Sequence, residues 1–453
     1  MKDLRSFLKA VQEQMPDEIC VMEREIDPRY EVTAFVEKLL DEDRAPILLF
    51  KKVKGFPFPL VCNVAASRKL IAFGLQTTPN DLVETYRQRE SNPIKPHIVT
   101  SGPVQEVVRT GEDVNLFDYP HITAHESDPG PYITGGLMIA RHPETGIRNV
   151  SYIRCQIVDK NTAYLHIHPG KHMDVYHKSA EKRGVPLEVA VVVGAPPSWA
   201  VGSLSLVPID VDEIDVMGAM AQQPIDLVKC KTVDLEVMAD GEMVFEGEIL
   251  PDVRETEGPF GEFTGYAMGA KKREVLKVKA VTHRKDAIYQ AISSGATEHC
   301  ILPAIPKEAY VFKIAKGACP TIQNIHVPFT GRGRFHYYIS IDKQTPGQPR
   351  NVAMAVFGAD LLAKHVFVVD KDIDIFDERQ VLWALATRVQ GDRDIIPIPG
   401  ALGSDLDPSS AGDGVQCKLI IDATAKPSLA KFPVKNKVPE EILAKIRIKD
   451  FVG

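Results

Sequence analysis

At 453 residues the chain is long enough for two or three domains, taking roughly 100–200 residues for each. With 44% hydrophobic and 25% charged residues, it has the composition of a globular protein that can bury a core of normal size. A formal net charge of −7 argues against nucleic acid or an anionic membrane surface as a general partner, while leaving room for a local basic phosphate site.

Leu4, Phe7, Leu8 and Val11 recur at helical spacing and predict a first helix. Val32, Phe35, Val36, Leu39 and Leu40 predict a second. The apolar runs 46–50 and 59–64 read as buried strands, and Pro79 suits the opening of another helix. Residues 1–104 therefore read as a small α/β subdomain. From 105 to 305 strands dominate, at 132–140, 149–158, 163–168, 187–193, 233–238 and 275–282. The turn Asp159-Lys160-Asn161 joins the second and third of these into a hairpin. Short strands between Gly/Pro turns suggest a barrel-like antiparallel sheet, interrupted by a helix at 173–183. A linker helix is expected at 306–320. Residues 321–453 then alternate: strand 337–341, helix 352–362, strand 365–369, helix 378–388, and a short tail helix at 439–446.

Seven scattered cysteines, odd in number and without a CxxC pair, argue against a disulfide framework and a thiolate zinc site. Met1-Lys2-Asp3-Leu4-Arg5 lacks the apolar core of a signal peptide, and no apolar run approaches the roughly 20 residues of a membrane helix. A reducing cytoplasm is the expected setting.

Three segments carry candidate chemistry. In Glu257-Gly258-Pro259-Phe260-Gly261-Glu262 two carboxylates flank a turn that lets backbone approach a ligand closely. Neighbouring carboxylates shift each other's pKa, so one of the pair can stay protonated and act as an acid; a turn with two solvated acids is the plainer alternative. In Asn149-Val150-Ser151-Tyr152-Ile153-Arg154, an arginine able to grip a carboxylate bidentately follows an amide and a hydroxyl. Strict strand alternation puts Asn149 and Ser151 on one face and Arg154 on the other, so a bulge or strand end is needed to unite them. His166, His168, His172 and His177 form a histidine-rich stretch. His166 and His168 alternate on a strand, as a metal pair or, more commonly, as a polar strand face. Nothing local distinguishes Glu213. Oxygen ligands with one imidazole would suit manganese or magnesium better than zinc.

Together these segments resemble the UbiD family, whose members use prenylated FMN to decarboxylate unsaturated acids reversibly. The resemblance spans nearly the whole chain. It includes the C-terminal stretches Val369-Asp370-Lys371-Asp372-Ile373-Asp374, Val381-Leu382-Trp383-Ala384, Asp392-Arg393-Asp394 and Leu406-Asp407-Pro408. It implies an α+β fold: a flavin-binding split β-barrel with an N-terminal α/β subdomain, joined by a helix to a C-terminal α/β domain used for self-association as a dimer or hexamer. It further implies Arg154, Glu257 and Glu262 as the catalytic set, with Arg154 and Glu257 orienting the carboxylate and Glu262 donating the proton. Asn149, His172 and Glu213 resemble the ligands of a divalent ion, Mn2+ or Mg2+, at the flavin phosphate, and K+ is a further candidate ion. Ser151, Ile153, Lys171 and Ser203 fall where family members touch the flavin, and Lys418 resembles a phosphate-contacting lysine. His299, with Phe263, falls in the implied substrate pocket. A histidine there resembles relatives that handle furan, pyrrole or hydroxylated aromatic acids. A flavin prenyltransferase would have to supply the cofactor. Two other readings compete: a metal-dependent hydrolase built on the His and Glu residues, which would bind no flavin, and a non-catalytic flavin-binding partner subunit, which would have no need of an acid pair.

Overall fold

The computed structural model describes residues 1–410, 414–426, 432–433 and 435–447; the end of the expected tail, 448–453, lies outside them. The first helix, Leu4–Gln14, is capped by Asp3, which accepts from the Ser6 amide at 2.8 Å, and it buries Leu4, Phe7, Leu8 and Val11. The second, Glu31–Leu40, buries Val32 and Val36 but leaves Phe35 43% exposed. The two helices lie on opposite faces of a four-stranded sheet ordered Ile19–Met22, Ile47–Phe50, Leu60–Cys62, Tyr289–Gln290. The last of these strands comes from far downstream, and His97–Val99 pairs with Asp226–Lys229. The N-terminal unit is therefore completed by later segments and does not close at residue 104.

The centre is a nine-stranded, antiparallel sheet. Its backbone is the long pairing of Met243–Glu257 with Lys271–His283, whose register runs through Glu257 opposite Lys271. The first of these strands has no clear sequence signature because it is acidic and contains Pro251, which sits where the register shifts between Ile249 and Arg254. Apart from Glu188, Leu187–Val193 is apolar because both of its faces are covered. Ala190 and Val192 pack with Trp199, Ile214 and Met217, while Val189, Val191 and Val193 join Tyr176, Phe245 and Tyr289.

The expected strand at 149–158 is two strands, Arg148–Tyr152 and Cys155–Asp159. The first closes one end of the sheet's pairing path beside Leu137–Arg141; the second lies near the other end, between Tyr132–Ile133 and Thr162–Leu165. Ile153 and Arg154 are all that separates them, so the path curls back on itself at Arg154. This is the strand end that the alternation argument requires.

The linking helix runs Thr297–Ala318, well ahead of the expected start at 306. Pro303 and Pro306 lie inside it and obscure its true beginning, since proline reads as a helix boundary. His299 consequently sits in its first turn. The C-terminal sheet is ordered Ile322–His326, His336–Ile341, His365–Asp370, Val415–Ala423, Ile395–Leu402, with its middle three strands parallel and both edges antiparallel. Helices Gln348–Ala359 and Glu378–Arg388 cover its two faces, and a short tail helix spans Glu440–Leu443. Among the described residues, no helix is long and apolar enough to cross a membrane.

Candidate active site

Arg154 leaves the strand break with its guanidinium over the Phe260 ring, 4.2 Å from the centroid. Glu257 ends the strand Met243–Glu257. The chain then turns through Gly258, at φ +86°, and pairs Phe260–Gly261 with Ala267–Met268. The loop is pinned where Gly258 N–H donates to Gln156 at 3.0 Å and Gly261 N–H to Asp128 at 3.2 Å. A Cβ on Gly261 would lie 2.4 Å from the His125 ring, so any larger residue would have to push that ring or the loop aside. The result carries Glu257 and Glu262 to Arg154 from opposite sides of the turn. Glu257 accepts from Arg154 Nε at 2.8 Å and Nη2 at 3.0 Å, a bidentate pair. Glu262 accepts from Nη1 in a tight ion pair.

Both carboxylates are nearly sealed, at 2% and 5% exposure. Burial pushes the Glu257 pKa up, but His166 and Arg154 more than offset it and hold the group at about 2. For Glu262 burial again acts upward, and the Arg154 guanidinium outweighs it, so its pKa also falls below the usual range. The expectation that one acid of the pair stays protonated is therefore corrected. With one guanidinium between them, both carboxyls are ionised in this state.

A cavity of about 250 Å³ opens beside this cluster. Arg154, Glu262, Phe263, Ile153 and His299 line it. His299 accepts from the Gly295 amide through Nδ1 at 3.0 Å, and burial, with Arg334 nearby, pushes its pKa down to about 3, so it is a neutral imidazole. The Phe263 ring packs under the Arg334 guanidinium, 4.2 Å away.

A second cluster lies along the neighbouring strand. Asp212 caps the helix Glu213–Ala221 by accepting from the Ile214 amide at 2.9 Å, which sets Glu213 in the first turn. Glu213 accepts from Asn149 Nδ2 at 2.9 Å and the Val150 amide at 3.1 Å, and lies 3.2 Å from His172 Nδ1. Ser151 donates to Asn149 Oδ1 at 2.9 Å. A carboxylate, a side-chain amide and one imidazole thus meet from a strand and two helix starts; these residue types suit a hard divalent cation once the Asn149 amide turns its oxygen, which here accepts from Ser151, towards the ion. These three side chains do not line the cavity of Arg154 and Glu262.

The other expected contacts are more scattered. Lys171 is exposed, at the N-cap of His172–Lys182. Ser203 donates to the Ala200 carbonyl at 2.9 Å and caps its own helix. Lys418 is buried in the C-terminal sheet, donating at 2.8 Å to the Leu361 and Ala363 carbonyls. It braces the turn that brings Leu362 to the cavity and does not itself line the cavity.

Nothing in the sequence assigns His166, His168, Glu298 or Arg334 to this cavity, yet all four line it. His166 was findable. The hairpin register ends on Leu165 opposite Cys155, which sets His166 opposite Arg154. Arg334 comes from the C-terminal unit, and no local pattern marks it.

Three family models match in succession: the 3-octaprenyl-4-hydroxybenzoate carboxy-lyase N-terminal domain at 14–90, the Rift-related domain at 97–297 and the C-terminal domain at 300–423. The chain belongs to the UbiD family. It is similar to the UbiD-class enzyme HmfF from Pelotomaculum thermopropionicum in complex with FMN, at 37% identity and TM-score 0.94, over 99% of this chain and 100% of that one. A dimeric form of HmfF solved with prenylated FMN matches at 34% identity and TM-score 0.90, covering 100% of both chains. The 3,4-dihydroxybenzoic acid decarboxylase of Enterobacter cloacae matches at 30% identity and TM-score 0.90, over 98% and 99%. Among curated proteins, anhydromevalonate phosphate decarboxylase of Methanothermobacter thermautotrophicus is 34% identical over 93% of this chain and 96% of that protein. The chain is thus a UbiD-family decarboxylase of the prenylated-FMN class with a mixed α+β fold.

Proposed function

We propose that this enzyme reversibly removes carbon dioxide from an aromatic, heteroaromatic or α,β-unsaturated acid, with Arg154, Glu257 and Glu262 as its catalytic residues. The observation that carries the reading is the one guanidinium holding two buried carboxylates, with Arg154 and Glu262 in the wall of the cavity. Glu257 fixes the arginine bidentately. Glu262 holds a single nitrogen, which makes it the partner that a substrate carboxylate displaces. Once that carboxylate shares the guanidinium charge, burial acts on Glu262 with less opposition, and its carboxyl takes up a proton. Glu262 then delivers this proton to the carbon that has lost carbon dioxide. Prenylated FMN, when bound, supplies the sink for the electron pair of the breaking carbon–carbon bond. At high carbon dioxide the same groups run the reverse reaction.

Asn149, His172 and Glu213 would hold a Mn2+ or Mg2+ ion, whose positive charge would help retain the anionic flavin cofactor. His172→Ala is expected to lose metal and flavin together; elemental analysis and the flavin spectrum of the purified variant check this, and full occupancy of both would remove His172 from the ligand set. A metal-dependent hydrolase is less well supported, because this trio sits away from the cavity wall.

The substrate reading rests on His299 and Arg334. A neutral imidazole and a guanidinium without an ion-pair partner among the described residues suit an acid bearing a second polar or anionic group: a ring heteroatom, a hydroxyl or a second carboxylate. The same pair would suit a phosphate, and the similarity to anhydromevalonate phosphate decarboxylase makes a phosphorylated unsaturated acid the second candidate. The deciding experiment is turnover of the prenylated-FMN holoprotein on a panel of furan, pyrrole, hydroxybenzoic, cinnamic and phosphorylated acids. His299→Leu is expected to lower kcat/KM on the furan- or pyrrole-carboxylate by about ten- to a hundredfold, since a polar group left unpaired costs about 1–3 kcal/mol. A cinnamate should change little. Equal effects on both would place His299 outside the specificity pocket.

A further inference from the structure

The strand Thr162–Leu165 ends on His166, whose amide donates to the Arg154 carbonyl at 3.4 Å and whose Nδ1 lies 2.8 Å from Arg154 Nη2. A guanidinium only donates, so in this 2.8 Å contact Nδ1 accepts and the neutral imidazole carries its proton on Nε2, which lies a longer 3.5 Å from Arg273 Nη2; Nδ1 is 3.8 Å from Glu257. Its surroundings enforce this: burial, with Arg154 and Arg273 nearby, depresses its pKa. The donors of Arg154 can then be assigned. Nε and one hydrogen of Nη2 go to Glu257, and the second hydrogen of Nη2 goes to His166. Nη1 remains: Glu262 takes one of its two hydrogens and the other is open to an incoming carboxylate.

We propose that His166 is a positioning residue: by closing Nη2 of Arg154 it directs the substrate carboxylate to Nη1, the nitrogen Glu262 holds, and so couples substrate binding to protonation of Glu262. This rests on Glu262 being the proton donor. Without an acceptor at position 166, the incoming carboxylate takes the freed hydrogen of Nη2, Glu262 keeps its ion pair, and the acid stays ionised when a proton is required. The charged and titratable groups at the cavity around Glu262 are Arg154 at the strand break, His166 and His168 beyond the hairpin, Glu298 and His299 on the helix and Arg334 from the C-terminal unit; burial raises the Glu298 carboxyl to about 7, so it is the difference between wild type and the His166 variants that ties the uptake to Glu262. His168 and His299 are held neutral, at about 4 and about 3, so neither supplies or takes the proton near neutral pH.

The test is calorimetry of furan-2-carboxylate binding to FMN-loaded protein near neutral pH, in buffers of different ionisation enthalpy, which counts protons taken up. Wild type is expected to take up about one proton per site, and His166→Ala and His166→Leu none. His166→Asn, whose amide oxygen reaches the Nδ1 position, restores the uptake. In the holoenzyme the alanine and leucine variants should lose at least about tenfold in kcat with no rise in KM, a split that general loss of structure would not produce. Undiminished uptake in His166→Leu, an asparagine variant that behaves like leucine, or wild type without uptake overturns the proposal. The underlying reading fails separately: Glu262→Gln that keeps wild-type turnover sinks the proton-donor assignment whatever His166 does.

Discussion

Glu262→Gln should retain flavin and lose turnover by about 10²–10⁴-fold, the usual range for removing a general acid. The substitution is close to isosteric. Its amide oxygen can still accept from Arg154 Nη1, so the cluster and the cavity wall persist. What disappears is a titratable group 5% exposed to solvent, beside a guanidinium for which Glu262 and a substrate carboxylate compete. The loss should therefore fall on kcat rather than on binding, and the flavin spectrum should be unchanged. A variant within a few-fold of wild type would take Glu262 out of the proton-donor role.

The pH dependence of stability follows from the same cluster. The pKa of Glu257 is held at about 2 in the folded protein, below its ordinary 4.5. A lowered folded value contributes stability that is fully present above the ordinary value and is lost as pH falls from there towards about 2. Glu262 has the same sign. Between pH 5 and 8, then, this pair leaves wild-type stability flat, on the principle that only a group titrating in that window tilts it.

The chemistry was legible as residue types and spacing, and its assembly was not. Glu257 and Glu262 stand out because glycine and proline bracket them. The guanidinium they share, however, lies 103 and 108 residues away in the sequence. Glu213 has no local signature; an Asp212 cap and a contact to Asn149 across 64 residues give it a place. Helices with one buried stripe, such as Leu4–Gln14, read cleanly from periodicity. Met243–Glu257 did not, since its charges and Pro251 mask a strand held by its neighbours. The wrong expectation about a protonated acid has the same origin. Two neighbouring carboxylates in a sequence suggest mutual repulsion, and only the fold reveals the cation between them.

Arg154→Met tests that cation directly. Methionine keeps much of the apolar stem against Phe260 and removes every donor. Glu257 and Glu262 are then left buried, ionised and facing each other, the situation in which deleting one partner of a buried ion pair costs about 3–5 kcal/mol. The two carboxyls escape it by protonation, so their folded pKa values rise above the unfolded ones. The sign of the linkage reverses: the stability they contribute is present at low pH and is lost as pH rises through the raised values. Relative to wild type at each pH, the melting temperature of Arg154→Met should fall progressively from pH 5 to pH 8, with decarboxylation lost at every pH because nothing grips the substrate carboxylate. Arg154→Lys should recover part of the stability, since one ammonium still neutralises the pair. It should recover little of the turnover, because a point charge cannot hold Glu257 bidentately while presenting a separate nitrogen to the substrate. An Arg154→Met protein that melts like wild type across this range would mean that the carboxylates do not depend on Arg154 for their charge, and a site built on one guanidinium shared by two acids would fail at its centre.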